Sequence, residues 1–222
     1  MRIALLGGTG DIGEGLALRW GRDSDHDIVI GSRDPEKARD AADDYEAELA
    51  AYDGETKITG FENGMAADRA DVVVLAVPPY HVADTVEHVA DSLGDDDIIV
   101  SPATGMQRDE DGFHYHRPEA GSVTAIAADA APDTVPVVGA FHNLAAGRLS
   151  NLDVDLGIDT LVVGEDADAK ATVSGLAEDI DGLRALDAGG IANAAEIESV
   201  TPLLINIGMN NDGLDDLGVR FD

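Results

Sequence analysis

Short apolar runs alternate along the chain with amphipathic stretches, and the alternation predicts the elements. Arg2-Ile3-Ala4-Leu5-Leu6 and Ile28-Val29-Ile30 read as strands, and between them residues 11–22 carry their apolar side chains on one helical face. Strand, helix and strand make a βαβ unit. Residues 34–52, rich in Ala and Glu, predict the next helix, with Asp34-Pro35 as N-cap and first-turn proline and Asp53-Gly54 as closing turn. Lys57-Ile58-Thr59 predicts a third strand and Asn63-Gly64 the turn into a short helix. Residues 72–77 are apolar on both faces, as a central parallel strand should be, and Pro78-Pro79 ends them. A helix over residues 82–93 stops at Gly94, and residues 97–101 form the fifth strand.

Residues 105–118 read as a polar, irregular segment, a solvated loop or lid. Within it His114-x-His116 lacks the spaced third ligand that a metal site needs, so no metal is expected. A helix over 119–131 leads to a sixth strand at 135–140, which runs into Phe141-His142-Asn143-Leu144. Beyond Gly147 the pattern predicts a strand at 160–164, a helix at 167–180, an extended piece at 183–186 and an apolar helix at 191–207 kinked at Thr201-Pro202. The tail, residues 214–221, is expected to pack back on the body. The fold class is α/β, a Rossmann doubly wound parallel sheet with a smaller C-terminal domain. Residues 1–145 would form the nucleotide-binding domain and residues 146–222 the domain closing one side of its crevice.

The turn after the first strand reads Gly8-Thr9-Gly10-Asp11-Ile12-Gly13, a GxGxxG between strand and helix. In that context Gly8 serves the tight turn, Gly10 the approach of a pyrophosphate, and Gly13 close helix–strand packing, with the helix N-terminus facing the anion. Where an NAD enzyme carries an acidic residue at the end of the second strand, this chain has Gly31-Ser32-Arg33, followed by Lys37. A hydroxyl, a guanidinium and an ammonium suit a 2′-phosphate, which points to NADP.

Charge reinforces that reading. The 222 residues hold 14 Lys plus Arg against 45 Asp plus Glu, a formal net charge of −31, so a local cationic cluster is out of character with the chain. Self-repulsion of that size suits a salt-rich, halophilic setting, where molar salt shortens the Debye length to about 3 Å. Nucleic acid is excluded as a partner for so acidic a surface. No run approaches 18 apolar residues and no signal-type stretch opens the chain, so a soluble cytoplasmic protein is expected, with no membrane partner. Without cysteine there is no thiolate chemistry. GxSxG, HExxH and a Tyr-x-x-x-Lys pair are also missing. A hydride acceptor needing little acid–base help, such as a flavin-like ring, fits best.

Four segments together resemble the NADPH-dependent coenzyme F420 reductases (F420H2:NADP oxidoreductases). They are residues 4–13, residues 30–38, Val100-Ser101-Pro102 and residues 181–189, and the likeness runs essentially the whole length. The resemblance implies reversible hydride transfer between NADP(H) and coenzyme F420, an 8-hydroxy-5-deazaflavin, with both rings stacked in one cleft and no catalytic acid or base. It places NADP contacts on Thr9, Gly10, Asp11, Ile12, Ser32, Arg33 and Lys37, and lines the nicotinamide side with Val77, Pro79, His81 and Ala146. The deazaflavin would sit over His142, Asn143 and Leu144, closed in by the helix at Leu203 and Ile207. The chain departs from the family at Asp11, a carboxylate beside the phosphates, and at Ala145, where proline is common. A homodimer acting on small molecules is implied. Two alternatives stand beside it: an NADP-dependent reductase of a small imine or keto substrate, and a non-catalytic NADP-sensing module.

Overall fold

The computed structural model describes residues 1–52 and 56–222, so the Asp53-Gly54 turn lies outside the described residues. Strand β1 (Arg2–Leu6), helix α1 (Asp11–Asp23) and strand β2 (Asp27–Ser32) form the expected βαβ unit, β1 and β2 pairing parallel from Arg2↔Asp27 to Leu6↔Gly31. Helix α2 (Pro35–Leu49) is capped as its sequence predicts, Asp34 accepting from the amide of Glu36 at 3.0 Å. Then come β3 (Ile58–Glu62), α3 (Asn63–Ala67), β4 (Val72–Leu75), α4 (Val82–Val89) and β5 (Ile98–Ser101). β4 stops two residues short of Val77 because the amide of Ala76 turns back to the carbonyl of Val74 at 3.1 Å.

The segment expected to be irregular is a hairpin, β6 (Met106–Asp109) and β7 (Gly112–Tyr115). Its turn was legible in Asp111-Gly112: Gly112 takes φ +122°, and Asp109 accepts from the amide of Asp111 at 2.9 Å. Helix α5 (Val123–Ala130) starts later than residue 119 because Ser122 caps it, bonding the amide of Ala125 at 3.0 Å. β8 (Val137–Gly139) is followed by α6 (Ala146–Ser150), β9 (Ile158–Gly164), α7 (Ala167–Glu178) and β10 (Leu183–Asp187). The expected helix 191–207 is split into α8 (Ala194–Glu198) and α9 (Val200–Asn210), meeting at Ser199. Pro202 explains the split: it has no N–H for the carbonyl of Glu198, and its ring is tolerated only in the first turn of a helix.

Among the described residues one eight-stranded sheet runs β10-β9-β8-β5-β4-β1-β2-β3, parallel except where β8 meets β9 antiparallel. The part from β3 to β8 has the doubly wound order with its switch point between β1 and β4, where ligands of such sheets bind. Successive β1 side chains face opposite ways: Ile3 and Leu5 join a core under α1, α2 and α7, while Ala4 and Leu6 join a second core under α3, α4 and α5. Burying each such Leu or Ile contributes roughly 1.5–3 kcal/mol. Trp20 ties α1 to α7, its ring nitrogen donating to the carbonyl of Leu176 at 2.7 Å. The tail packs back on β9, the amide of Asp159 bonding the carbonyl of Val219 at 2.7 Å.

Candidate active site

Backbone sterics decide the glycine turn. Gly7 takes the left-handed conformation (φ +77°), and a Cβ there would lie 2.6 Å from the carbonyl oxygen of Ala76. The tight-turn role expected of Gly8 therefore falls to Gly7. A Cβ on Gly8 would come within 2.7 Å of the Leu5 carbonyl oxygen, and one on Gly13 within 2.5 Å of the Gly8 Cα, so α1 can close on the turn only because both lack side chains. At Gly10 the nearest atom to an added Cβ is 3.5 Å away, so the protein itself does not demand glycine, and the space in front of it belongs to a cavity. α1 begins there without a side-chain cap, and its first closure is the amide of Glu14 to Gly10 at 2.9 Å, so the amides of Asp11 and Ile12 lie in an uncapped first turn. Tyr45, unnoticed in the sequence, braces the turn from α2 by donating to the carbonyl of Gly8 at 3.0 Å. Burial, reinforced by Glu14, pushes the Tyr45 hydroxyl pKa upward and keeps it a donor.

The cavity, about 550 Å³, collects Thr9 and Gly10 from this turn, Ser32 and Arg33 from the end of β2, and Val77 and His81 from the segment after β4. Pro79 sits in the 3-10 turn that carries His81, and exposed Lys37 stands one turn along α2 from Arg33. Among the described residues neither Arg33 nor Lys37 enters an ion pair. Asn63 and a polar face of α4, Asp84, Thr85 and His88, also line the cavity. That face was readable as the i, i+3, i+4, i+7 complement of buried Val82, Val86 and Val89.

A second cavity, about 440 Å³, opens beyond β8. Phe141 turns the chain there with φ +67°, a conformation costing about 1–3 kcal/mol for a non-glycine residue. It is held by Thr160, whose hydroxyl accepts from the Phe141 amide at 2.9 Å, and by edge-on packing against Trp20 at 5.7 Å. Asn143, Leu144, Ala145, Ala146 and Gly147 form one wall. Thr201, Leu204, Ile205, Gly208 and Met209, a single stripe of α9, form another. Leu203, exposed, and Ile207 lie off that stripe, on the flank of Asn206, whose carboxamide exchanges two bonds with the Phe113 backbone at 2.8 and 2.6 Å. Residues 214–217 of the tail complete the lining. α6 runs alongside α1: Gly15 meets Leu149, and buried Arg19 bonds the carbonyls of Arg148, Leu149, Asn151 and Val154. These contacts fix α6 and the segment after it against α1.

His142 lies behind the wall rather than in it. It is 3% exposed, with Nε2 3.2 Å from Thr124 Oγ1, which in turn is 3.2 Å from Glu198 Oε1. Glu198, fully buried, also accepts from the amides of Val123 and Thr124 and from the Tyr115 hydroxyl, each at 3.0 Å. Burial lowers the His142 pKa to about 4 and raises that of Glu198. The imidazole is therefore neutral near pH 7, and the backbone carbonyl of His142 accepts from the Thr201 hydroxyl at 2.6 Å.

A doubly wound sheet with a glycine turn and an uncapped helix N-terminus at its switch point defines a Rossmann-type α/β protein of the dinucleotide-binding class. Residues 2–105 match the family described as NADP oxidoreductase, coenzyme F420-dependent. Over 210 residues the chain is 38% identical to the F420-dependent NADP reductase of Methanocaldococcus jannaschii, covering 93% of this chain and 92% of that protein. It is 37% identical to the F420-dependent NADP reductase of Methanothermobacter marburgensis, with 95% and 94% covered. The chain belongs to the F420-dependent NADP reductase family. A crystal structure of a candidate F420-dependent NADP-reductase from Arthrobacter sp. FB24 shares the fold at a TM-score of 0.79 and 22% identity, covering 100% of this chain and 99% of that one. A pyrroline-5-carboxylate reductase from Coxiella burnetii shares it more loosely, at a TM-score of 0.55 and 16% identity over 83% of this chain and 58% of that one.

Proposed function

We propose that the protein transfers hydride reversibly between NADP(H) and coenzyme F420, with the nucleotide in the cavity at Thr9–Arg33 and the deazaflavin in the cavity at Asn143–Ala146. What carries the reading is the first cavity, which brings the glycine turn and the uncapped start of α1 together with a hydroxyl and a guanidinium from the end of β2. Open space before Gly10 and uncapped amides of α1 suit the pyrophosphate; Ser32, Arg33 and Lys37 suit a 2′-phosphate. The coenzymes supply the hydride chemistry, and the chain supplies alignment and exclusion of water. Val77, Pro79, His81 and Ala146 would flank the nicotinamide side, Ala146 from the lining of the second cavity. Asn143, Leu144 and the α9 stripe would hold the deazaflavin, His142 acting through the backbone it anchors and Leu203 and Ile207 from the outer flank of α9.

Reduction of an imine or ketone would need a proton donor at the reacting atom. Among the described residues lining the second cavity there is no His, Lys, Tyr or Cys side chain, so the lining favours a partner that accepts hydride without such a donor. No helix among the described residues is long and apolar enough to cross a membrane. The reading carries with it a homodimer in a salt-rich cytoplasm and a division of labour between residues 1–145, which hold NADP, and residues 146–222, which close the deazaflavin side. In molar salt, NADPH should bleach the visible absorption of the oxidised deazaflavin, and NADH should do so far less. Folded protein that leaves the absorption unchanged with both nucleotides would overturn the assignment.

A further inference from the structure

We propose that Glu198 is a positioning residue for the hydride transfer: its buried carboxylate sets the tautomer of His142 through Thr124 and so holds the wall on which the deazaflavin rests. The inference rests on the deazaflavin reading above and adds to it a residue outside the lining of both cavities. Glu198 is fully buried, and four donors converge on it: the amides of Val123 and Thr124 and the Tyr115 hydroxyl, each at 3.0 Å, and the Thr124 hydroxyl at 3.2 Å. Two of these are amides, which cannot accept, and they belong to the first turn of α5, where negative charge is favoured. Burial raises the pKa of Glu198, and each of the four bonds works against that rise. The donor set is that of a carboxylate, which only accepts.

A carboxylate at Glu198 decides the ring beyond it. Thr124 has one hydroxyl proton and Glu198 Oε1 takes it, so Thr124 Oγ1 is left to accept from His142 Nε2 at 3.2 Å. The proton of the neutral imidazole then sits on Nε2, and Nδ1 is bare. The other tautomer would put an N–H on Nδ1, which is buried without a partner, and would leave Thr124 one proton for two acceptors. Position 139 makes room for the pair: a Cβ on Gly139 would lie 2.8 Å from Thr124 Oγ1 and 3.0 Å from His142 Cε1. From His142 the connection runs through the main chain. Its backbone carbonyl holds the Thr201 hydroxyl, and Asn143, the next residue, lines the second cavity as Thr201 does. Thr201 follows Glu198 across the α8–α9 junction, so the bonds close a ring from Glu198 to Thr124, His142 and Thr201 and back along the chain. Such a ring resists displacement of either wall, because moving one breaks a bond buried from water.

The test joins nitrogen NMR of the histidine rings to steady-state kinetics in molar potassium chloride. The proteins are wild type, Glu198→Gln, Thr124→Val and Thr124→Ser, and near-UV circular dichroism reports the fold. Wild-type His142 should show a protonated Nε2 and a bare Nδ1. Thr124→Val removes the link while keeping the shape of the side chain, and Glu198→Gln turns an NH2 group toward one of the two amides. Both should give a ring that populates the Nδ1–H tautomer. In both, KM for the deazaflavin should rise about tenfold and KM for NADPH less than twofold, the loss of roughly one buried hydrogen bond from one wall. Thr124→Ser keeps the hydroxyl and should keep the wild-type tautomer and KM. If Glu198→Gln does not fold, Thr124→Val against Thr124→Ser decides. A wild-type ring protonated on Nδ1, a folded Thr124→Val that leaves the tautomer or the deazaflavin KM unchanged, or equal losses for both substrates would overturn the inference while the deazaflavin reading stands. Wild type with the expected tautomer that transfers no hydride to the deazaflavin would overturn that reading, and this role with it.

Discussion

The two cavities are made in opposite ways. The cavity at the glycine turn is walled by turns at the carboxyl ends of neighbouring strands, and its shape follows from local sterics: Gly7 in the left-handed region, Gly8 and Gly13 with no room for a Cβ. The second cavity is walled by residues 143–147, the Thr201, Leu204, Ile205, Gly208 and Met209 stripe of α9, and residues 214–217, brought together across the sequence. Those walls hang on tethers between side chains and distant backbone. Asn143 donates to the carbonyl of Asp159 at 2.7 Å, Thr201 to that of His142, and the Asp159 carboxylate takes Arg184 and the amide of Phe221. A site set by local geometry needs the right residues in one short stretch. A site set by tethers can be dismantled from far away.

The sharpest way to break this contrast is Arg19→Leu. The side chain lies within α1 but holds four carbonyls around the end of α6. Removing it leaves buried carbonyls without a donor, and we expect a loss of about 3–5 kcal/mol in urea unfolding. Where enough folded protein remains, KM for the deazaflavin should rise while the affinity for NADP+ stays near wild type. An equal loss at both sites would mean that the cavities are not separately built.

His142 offers a pH test of the same tethered wall. Its folded pKa of about 4 lies below its ordinary value of 6.5, so between these pH values the unfolded chain takes up a proton that the folded chain does not. The corresponding stability is fully present above pH 6.5 and is lost as pH falls toward 4, to a total of about 3 kcal/mol. Subtracting the urea-unfolding profile of His142→Gln, which keeps a donor toward Thr124, from that of wild type should isolate this slope from the carboxylates common to both. Parallel profiles would mean that the imidazole is not buried neutral. The smallest expected effect tests the local site: Arg33→Ala should weaken NADPH by about 1.5–3 kcal/mol in titration and leave NADH nearly unchanged. Arg33 is exposed and makes no ion pair among the described residues, so the fold should not notice.

Much of the first site was legible because its signals are short-range. The glycine spacing, the Asp34-Pro35 cap and the missing acid after β2 all lie within 39 residues. Even there the positive φ belonged to Gly7, which is crowded by Ala76 just past the end of β4, a neighbour that is distant in sequence. Asn63 was read simply as a turn residue, because nothing in the linear sequence brings it beside Ser32. The hairpin β6–β7 was missed because it lacks a buried face on β6, all four of whose residues are exposed. With no apolar alternation, only Asp111-Gly112 marked its turn.

The amino-acid sequence by itself determined the parallel βαβ order, the glycine turn and the cationic rather than acidic end of β2, since each depends on side-chain size, charge or periodicity within a few turns of chain. The tertiary structure decided the rest. It placed Arg19 in the interior as a tether rather than on a solvated helix face, set His142 behind the wall, and chose which stripe of α9 faces the second cavity. Those outcomes depend on which distant carbonyls, amides and apolar faces meet, and periodicity shows that a helix has a buried side without naming what covers it.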